Sequence, residues 1–323
     1  MTAALATEPG TDAPRFFETP DNPAPPGGEV FWLKISESLR LRVALWRPAS
    51  PRGTVMILAG RTETLEKYFE TIGDLLARDF VVLIFDWRGQ GASTRELADP
   101  RKGHISAFSD YLTDFAVILD EVESRCPRPW VLLAHSMGAN IALHALHEWR
   151  SDFSCAVLGA PMLGIRLPAP RVLAVLAALV PPSLFVPNGK AHDPLAETFE
   201  INPVTQDPAR FARNQAILTT HPEVALGAPT WGWLRAALLA SEEIMAPGFL
   251  ETIRTPILML SAAREQIVEN GAQAEAAARL PHCEHLVIEG AKHELLMETD
   301  AVRAKVWAAF DRFVDAQLSA PAR

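Results

Sequence analysis

Apolar runs of strand length recur along this chain, each closed by Gly, Asp, Ser or Pro, and this rhythm constrains the fold more than any other feature. TVMILAG at 54–60, FVVLIFD at 80–86, WVLLAHS at 130–136 and CAVLGAP at 155–161 are continuous rather than alternating, as strands buried on both faces must be. Between the first two, LEKYFETIGDLLARD sets Leu65, Phe69, Ile72, Leu75 and Leu76 at helical spacing, and MGANIALHALHEWR reads as another helix. Buried strands alternating with helices predict a mostly parallel sheet covered on both faces. Upstream, EVFWLKIS from Glu29 and LRLRVALWRP from Leu39 flank a turn near Glu37 and Ser38, so a hairpin opens the fold.

The rhythm stops after Gly164. From Ile165 to Phe249 there are prolines and helical fragments but no clear strand, until TPILMLSA at 255–262 restores the pattern. VENGAQAEAAARL, the strand HLVIEG at 285–290 and an amphipathic helix from Asp300 to Val314 complete it. The expected organisation is an extended Pro-rich arm over 1–28, an α/β core over 29–164 and 250–323 with an eight-stranded sheet, and an inserted helical cap over 165–249.

Composition narrows the function classes. A 323-residue chain that is 49% hydrophobic can bury a large core, which excludes disorder for most of it. With 30 Lys and Arg against 39 Asp and Glu, the net charge of -9 lacks the basic footprint of a nucleic-acid binder. Membrane contact is therefore expected only as peripheral contact through apolar cap residues. The run VLAVLAALV at 172–180 falls short of the ~20 residues a spanning helix needs. Cys126, Cys155 and Cys283 are odd in number and widely spaced, so neither a disulfide framework nor a Cys-rich zinc site is readable. The start, MTAALATEPGTDAPRFFETP, has no cationic and apolar leader, and a reducing, cytoplasmic compartment is the expectation.

The strongest chemical signal is Ala134-His135-Ser136-Met137-Gly138, between a strand and a helix. Small residues around a serine at such a turn let the backbone fold tightly and expose the hydroxyl, the arrangement called a nucleophile elbow. Ala134 stands where the pattern G-x-S-x-G has its first glycine. A nucleophilic serine needs a base and an orienting acid, in the order Ser, acid, His. His293 in GAKHELL, just beyond HLVIEG, is the candidate base. Glu265 in SAAREQIV, after PILML, is the candidate acid, with Glu269 as its rival. Backbone N–H groups of Met137 and Arg61 are the candidate oxyanion hole, while the Arg61 guanidinium is either a surface cation or a contact for an anionic headgroup.

LAGRTETLEKY, FDWRGQGAS, KGHISAFSDYLTDF, LLAHSMGANIAL, LGAPMLGI and GAKHELLMETD together resemble the α/β-hydrolases of the monoacylglycerol lipase and bacterial lysophospholipase group. The resemblance runs from Glu29 to the C-terminal helix and is weak within 170–250. It implies a Ser136, Glu265, His293 triad, although most members carry Asp at the acid position. It also implies an acidic residue near the substrate's glycerol hydroxyls, which Glu63 matches. Asp86 in FDWRGQG is read as ordering the turn that follows its strand.

Other features have plain readings. His144 and His147 are three apart on a helix, but no further ligand joins them in a zinc pattern. Arg88-Gly89-Gln90-Gly91 lacks dinucleotide-binding grammar. Trp231 and Trp233, with Leu234, Leu238 and Leu239, either line an acyl pocket or form the cap's own core. The expected activity is ester hydrolysis through an acyl-enzyme, needing no cofactor and no metal, on a small-molecule ester or single-chain lipid. A small soluble ester and a non-catalytic lipid-binding role on the same fold are the alternatives.

Overall fold

The computed structural model describes residues 13–149, 152–168, 170–191 and 198–319. Strands β1 (Glu29–Lys34), β2 (Arg40–Trp46), β3 (Thr54–Leu58), β4 (Val81–Phe85), β5 (Trp130–His135), β6 (Cys155–Gly159), β7 (Ile257–Ala262) and β8 (Cys283–Ile288) form one sheet. Their order is β1-β2-β4-β3-β5-β6-β7-β8. The β1–β2 and β2–β4 pairs are antiparallel, and every other pairing is parallel.

Among the described residues eight α-helices fall on the two faces or in the insertion: α1 (Phe69–Leu76), α2 (Ser109–Val122), α3 (Met137–Glu148), α4 (Pro170–Leu179), α5 (Pro208–Thr220), α6 (Trp231–Met245), α7 (Asn270–Arg279) and α8 (Asp300–Ser319). Side-chain alternation divides the core. Met56 and Leu58 of β3 and Leu132 of β5 join one apolar cluster with Phe115, Ile141 and Ala276 of α2, α3 and α7. Val55, Ile57, Val131 and Leu133 join the other, with Ile72 of α1 and Phe310 of α8. Each such buried side chain contributes about 1.5–3 kcal/mol relative to exposure, which is why the central strands read as unbroken apolar runs.

Two boundaries differ from expectation. LEKY forms a 3-10 turn, and the α-helix starts only at Phe69, because Glu63, Glu66 and Lys67 are drawn into buried ion pairs ahead of it. The final helix runs on to Ser319. Between β6 and β7 lie α4, α5 and α6, and α6 reaches into the core with Trp233, Ala236 and Ala237. Of the Pro-rich arm, residues 1–12 lie outside the described residues. The described part docks on the core: Phe16 stacks on Trp46 at 5.2 Å, and Trp46 Nε1 donates to the Pro25 carbonyl at 2.8 Å. Among the described residues no helix is long and apolar enough to cross a membrane.

Candidate active site

β5 ends at His135, and the chain turns sharply into α3 through Ser136, whose φ of 49° and ψ of -112° are rarely adopted by an L-residue. The strain is held by four backbone bonds. Ser136 N–H donates to the Gly159 carbonyl at 3.0 Å, and its carbonyl accepts from Ala139, Asn140 and Met162, each at 3.1 Å. Gly138 lets α3 approach β3, since a Cβ there would lie 2.1 Å from the Leu58 carbonyl oxygen. Ala134 pairs with Leu58 in the sheet, so the turn closes with its methyl group present.

The loops after β7 and β8 bring two more side chains to this turn. His293 Nε2 is 3.0 Å from Ser136 Oγ, and His293 Nδ1 is 2.7 Å from Glu265 Oε2. Ser136, His293 and Glu265 are 7%, 5% and 5% exposed. The second Glu265 oxygen accepts the N–H groups of Gln266 at 2.9 Å, Ile267 at 2.7 Å and Val268 at 3.3 Å. Burial alone would raise the Glu265 pKa, but His293 and these amides together hold it below the usual carboxylate value. Glu269 takes another direction: it caps α7, and its half-exposed carboxylate faces Arg166 at 3.8 Å.

Met137 is the first residue of α3, where an N–H has no intrahelical acceptor. Across from it, the loop after β3 is shaped by Gln90. The Gln90 Oε1 accepts from Thr62 N–H at 2.6 Å while its amide lies 3.8 Å from Met137 Sδ. One buried side chain thus spans the two segments that carry the candidate oxyanion amides. Asp86 orders the turn that follows β4 and carries Gln90, accepting from Ala92 N–H at 2.8 Å, Leu65 N–H at 3.1 Å and Arg42 Nε at 2.8 Å.

Glu63, expected from the resemblance to meet substrate hydroxyls, is engaged by the protein's own groups. It is 4% exposed, and its oxygens accept from Gly60 N–H, from Lys67 Nζ at 2.9 Å and from Tyr68 OH at 2.6 Å. His135 Nδ1 lies 3.1 Å from the same carboxylate. Burial opposes its ionisation, but Lys67 and His135 hold Glu63 well below the usual carboxylate range. Burial likewise opposes the His135 imidazolium, and Glu63 still raises its pKa. The network continues through Lys67 to Glu294 at 2.5 Å, and His135 Nε2 faces the His293 carbonyl at 3.2 Å. Sequence reasoning missed Gln90, Lys67, Tyr68 and Glu294. The i,i+4 spacing of Glu63 and Lys67 was the one local signal of this network.

A cavity of about 400 Å³ lies between core and insertion, its wall including Thr62, Lys67, Arg210, Leu226, Glu294 and Met297. Thr62 and Glu294 of its wall are the chain neighbours of Arg61 and His293, while Ser136, His293 and Glu265 themselves do not line it. Trp231 and Trp233 are not among the residues of its wall. Trp231 packs with Ala177 and Leu234, and Trp233 packs 6.1 Å from Phe108 and over Arg61. His144 faces the Ala240 carbonyl at 3.3 Å and His147 the Thr252 hydroxyl at 2.8 Å, so the pair serves helix packing.

A buried serine hydroxyl, an imidazole and a carboxylate in sequence can pass a proton and activate the serine for attack on an acyl carbon. The comparisons with known proteins point the same way. The family profile described as serine aminopeptidase, S33 matches residues 49–300. Lysophospholipase L2 of Escherichia coli strain K12 is 33% identical over 298 residues, covering 85% of this chain and 86% of that protein. Probable lysophospholipase L2 of Haemophilus influenzae is 34% identical over 279 residues, covering 84% and 87%. A solved soluble variant of monoglyceride lipase from Saccharomyces cerevisiae, in complex with a substrate analog, superposes with a TM-score of 0.74 at 16% identity, over 96% of this chain and all of that one.

Proposed function

From the premise that the chain belongs to the serine aminopeptidase, S33 family of α/β-hydrolases, we propose that it cleaves the carboxylic ester of single-acyl-chain lipids, lysophospholipids or monoacylglycerols. The chain is a carboxylic ester hydrolase. In our reading Ser136 Oγ attacks the ester carbonyl as His293 removes its proton, and Glu265 holds the imidazolium that forms. The Met137 and Arg61 amides receive the developing oxyanion. His293 returns the proton to the departing glycerol oxygen. A water deprotonated by His293 then attacks the acyl-enzyme, releasing the fatty acid and Ser136.

The observation that carries this reading is the 3.0 Å contact between Ser136 Oγ and His293 Nε2, with Glu265 at 2.7 Å behind it. A cavity of about 400 Å³ between core and insertion, whose wall includes Thr62 and Glu294, is in the range that takes one small ligand. Fluorophosphonate labelling that disappears in Ser136→Ala, together with kcat/KM rising from butyryl to palmitoyl esters, is the expected result. Absence of labelling would favour a binding protein on this fold, and a preference for acetyl or butyryl esters would sink the lipid reading.

The lipid reading extends to the surface of the cap. Val172, Val175, Leu176 and Leu179 recur at helical spacing on α4, with Val175 62% and Leu179 77% exposed. We infer that this face rests on the lipid surface that presents the substrate. Leu179→Asp should reduce sedimentation with phosphatidylcholine vesicles, and unchanged sedimentation would refute the contact.

A further inference from the structure

Among the described residues, buried basic side chains mostly answer to carboxylates. Arg42 pairs with Glu66 and Asp86, Lys67 with Glu63 and Glu294, Arg210 with Glu70 and Asp207, and Arg303 with Asp74. Arg95 is satisfied differently, by the carbonyls of Gly89 at 2.5 Å and Gly91 at 2.8 Å.

Arg61 departs from this pattern. One of its terminal nitrogens donates to the Gly227 carbonyl at 2.5 Å, and its guanidinium carbon lies 5.1 Å from the Trp233 ring centroid. Its Nε is sealed from solvent and has no hydrogen-bond partner among the described residues. No carboxylate there forms an ion pair with it. Burial lowers its pKa to about 10, which still leaves a full cation at neutral pH. A buried guanidinium without an anion is costly, because desolvation is not offset by attraction.

The position of this cation gives the imbalance a use. Arg61 is in the loop whose backbone N–H is assigned to the oxyanion, and its side chain bridges to Gly227. The next residue, Thr62, and the one before Gly227, Leu226, both line the 400 Å³ cavity. The guanidinium therefore bridges the loop after β3 and the segment leading into α6, the two segments whose adjacent residues, Thr62 and Leu226, line the cavity.

We propose that Arg61 binds the phosphodiester of a lysophospholipid headgroup, and that it thereby sets a preference for phosphate-bearing single-chain lipids over neutral monoacylglycerols. The proposal rests on the reading of the protein as a single-chain lipid hydrolase. A guanidinium presents a planar fork of donors that matches two phosphate oxygens, and the proposal requires a shift of the side chain that uncovers Nε, sealed in this structure, as one of those donors. In a lysophospholipid the phosphate hangs from the same three-carbon glycerol unit as the ester. A cation attached to the residue whose own amide faces the ester oxygen has the reach to meet it. Trp233 and the Gly227 carbonyl hold the fork in place and leave its charge uncompensated until the headgroup arrives.

The test is a ratio. Wild type, Arg61→Gln and Arg61→Lys are assayed on 1-palmitoyl-lysophosphatidylcholine and on 1-palmitoylglycerol in the same detergent. Any harm the substitution does to the oxyanion loop or to folding lowers both rates and cancels in the quotient. The proposal expects the lysophospholipid to monoacylglycerol ratio of kcat/KM to fall about 10- to 100-fold in Arg61→Gln, chiefly through KM, with Arg61→Lys between the two. A ratio unchanged in Arg61→Gln overturns it. Inorganic phosphate is added as a second arm. If it inhibits monoacylglycerol cleavage by wild type, and Arg61→Gln removes that inhibition without moving the ratio, the site serves free phosphate and the headgroup proposal falls. If wild type cleaves neither lipid, the underlying reading falls with it, whereas cleavage of both with an unmoved ratio sinks the Arg61 proposal alone.

Discussion

Glu63 Oε1 lies 3.1 Å from His135 Nδ1 while Glu63 Oε2 accepts the N–H of Gly60, so one buried carboxylate ties the residue before Ser136 to the loop after β3. The two walls of the candidate oxyanion site are joined by a charge pair, not merely packed together. Glu63→Gln removes that charge and leaves Lys67 and His135 short of a counterion. It should cost about 3 kcal/mol in urea unfolding and lower kcat roughly 10- to 100-fold through misplacement of the loop. The pH dependence has a definite sign. His135 has a raised folded pKa, so its contribution is full below its unfolded value and is lost as pH rises through the folded value. Glu63, held low, contributes above its unfolded value and stops contributing in acid. The gap between wild type and variant should therefore narrow as pH climbs above neutrality, and a gap that widens there would refute the pairing.

Glu265 and Glu269 are four residues apart and differ in what they face. Glu265→Gln should reduce kcat on a long-chain p-nitrophenyl ester by about 100- to 10,000-fold, because the orienting carboxylate fixes the imidazole tautomer. Glu269→Gln should stay within about threefold, as expected of a half-exposed residue whose partner is Arg166. Equal losses in the two variants would remove the basis for choosing Glu265.

At the turn itself, Gly138→Ala should be severe and Ala134→Gly mild. A methyl at 138 would sit 2.1 Å and 2.6 Å from the carbonyl oxygens of Leu58 and Ala59, which are backbone atoms of the sheet. We expect poor solubility or a stability loss of about 3 kcal/mol or more. Ala134→Gly restores the usual residue of the turn and removes only one buried methyl from β5, a loss of about 1 kcal/mol. Thermal unfolding of both variants checks the contrast.

The insertion is fastened to the core by Glu70 of α1. Its carboxylate accepts from Arg210 Nε at 2.9 Å and from Arg213, both on α5, and Arg210 also reaches Asp300 of α8 at 2.7 Å. Burial alone would raise the Glu70 pKa, but these arginines pull it down to about 2. Its contribution is thus present above the unfolded value and is lost as pH falls through the window down to about 2. Glu70→Gln should cost on the order of 1–2 kcal/mol near neutrality, allowing for solvent screening. Denaturation at acid pH should show the wild-type advantage shrinking, and an advantage that persisted at the lowest pH would contradict the clamp.

Local pattern carried much of this protein. Strand runs, the small-residue turn around Ser136 and the order of serine, acid and histidine were readable because backbone geometry and side-chain periodicity write them into neighbouring residues. Helix α2 was not assigned from sequence, although Tyr111, Leu112, Phe115, Ile118 and Val122 carry helical spacing. The partners of Glu63 were not legible for a deeper reason. Lys67 and Glu294 are 227 positions apart, and His135 comes from a third element, so nothing local distinguishes a buried four-way charge cluster from solvated loop residues. The tryptophans at 231 and 233 were ambiguous because an apolar helix face looks alike whether it meets a ligand or another helix.

The side chains of the proposed triad follow strands from the middle and the end of the chain. Ser136 follows β5, Glu265 follows β7 and His293 follows β8, with 157 positions between serine and histidine. A ribosome delivers such a chain from its N-terminus, and early segments fold first. Ser136 is thus translated and shaped while its imidazole is still unmade. If the proposed triad is the reacting one, the emerging enzyme is born inert, and hydrolytic competence arrives only when the last strand closes the sheet.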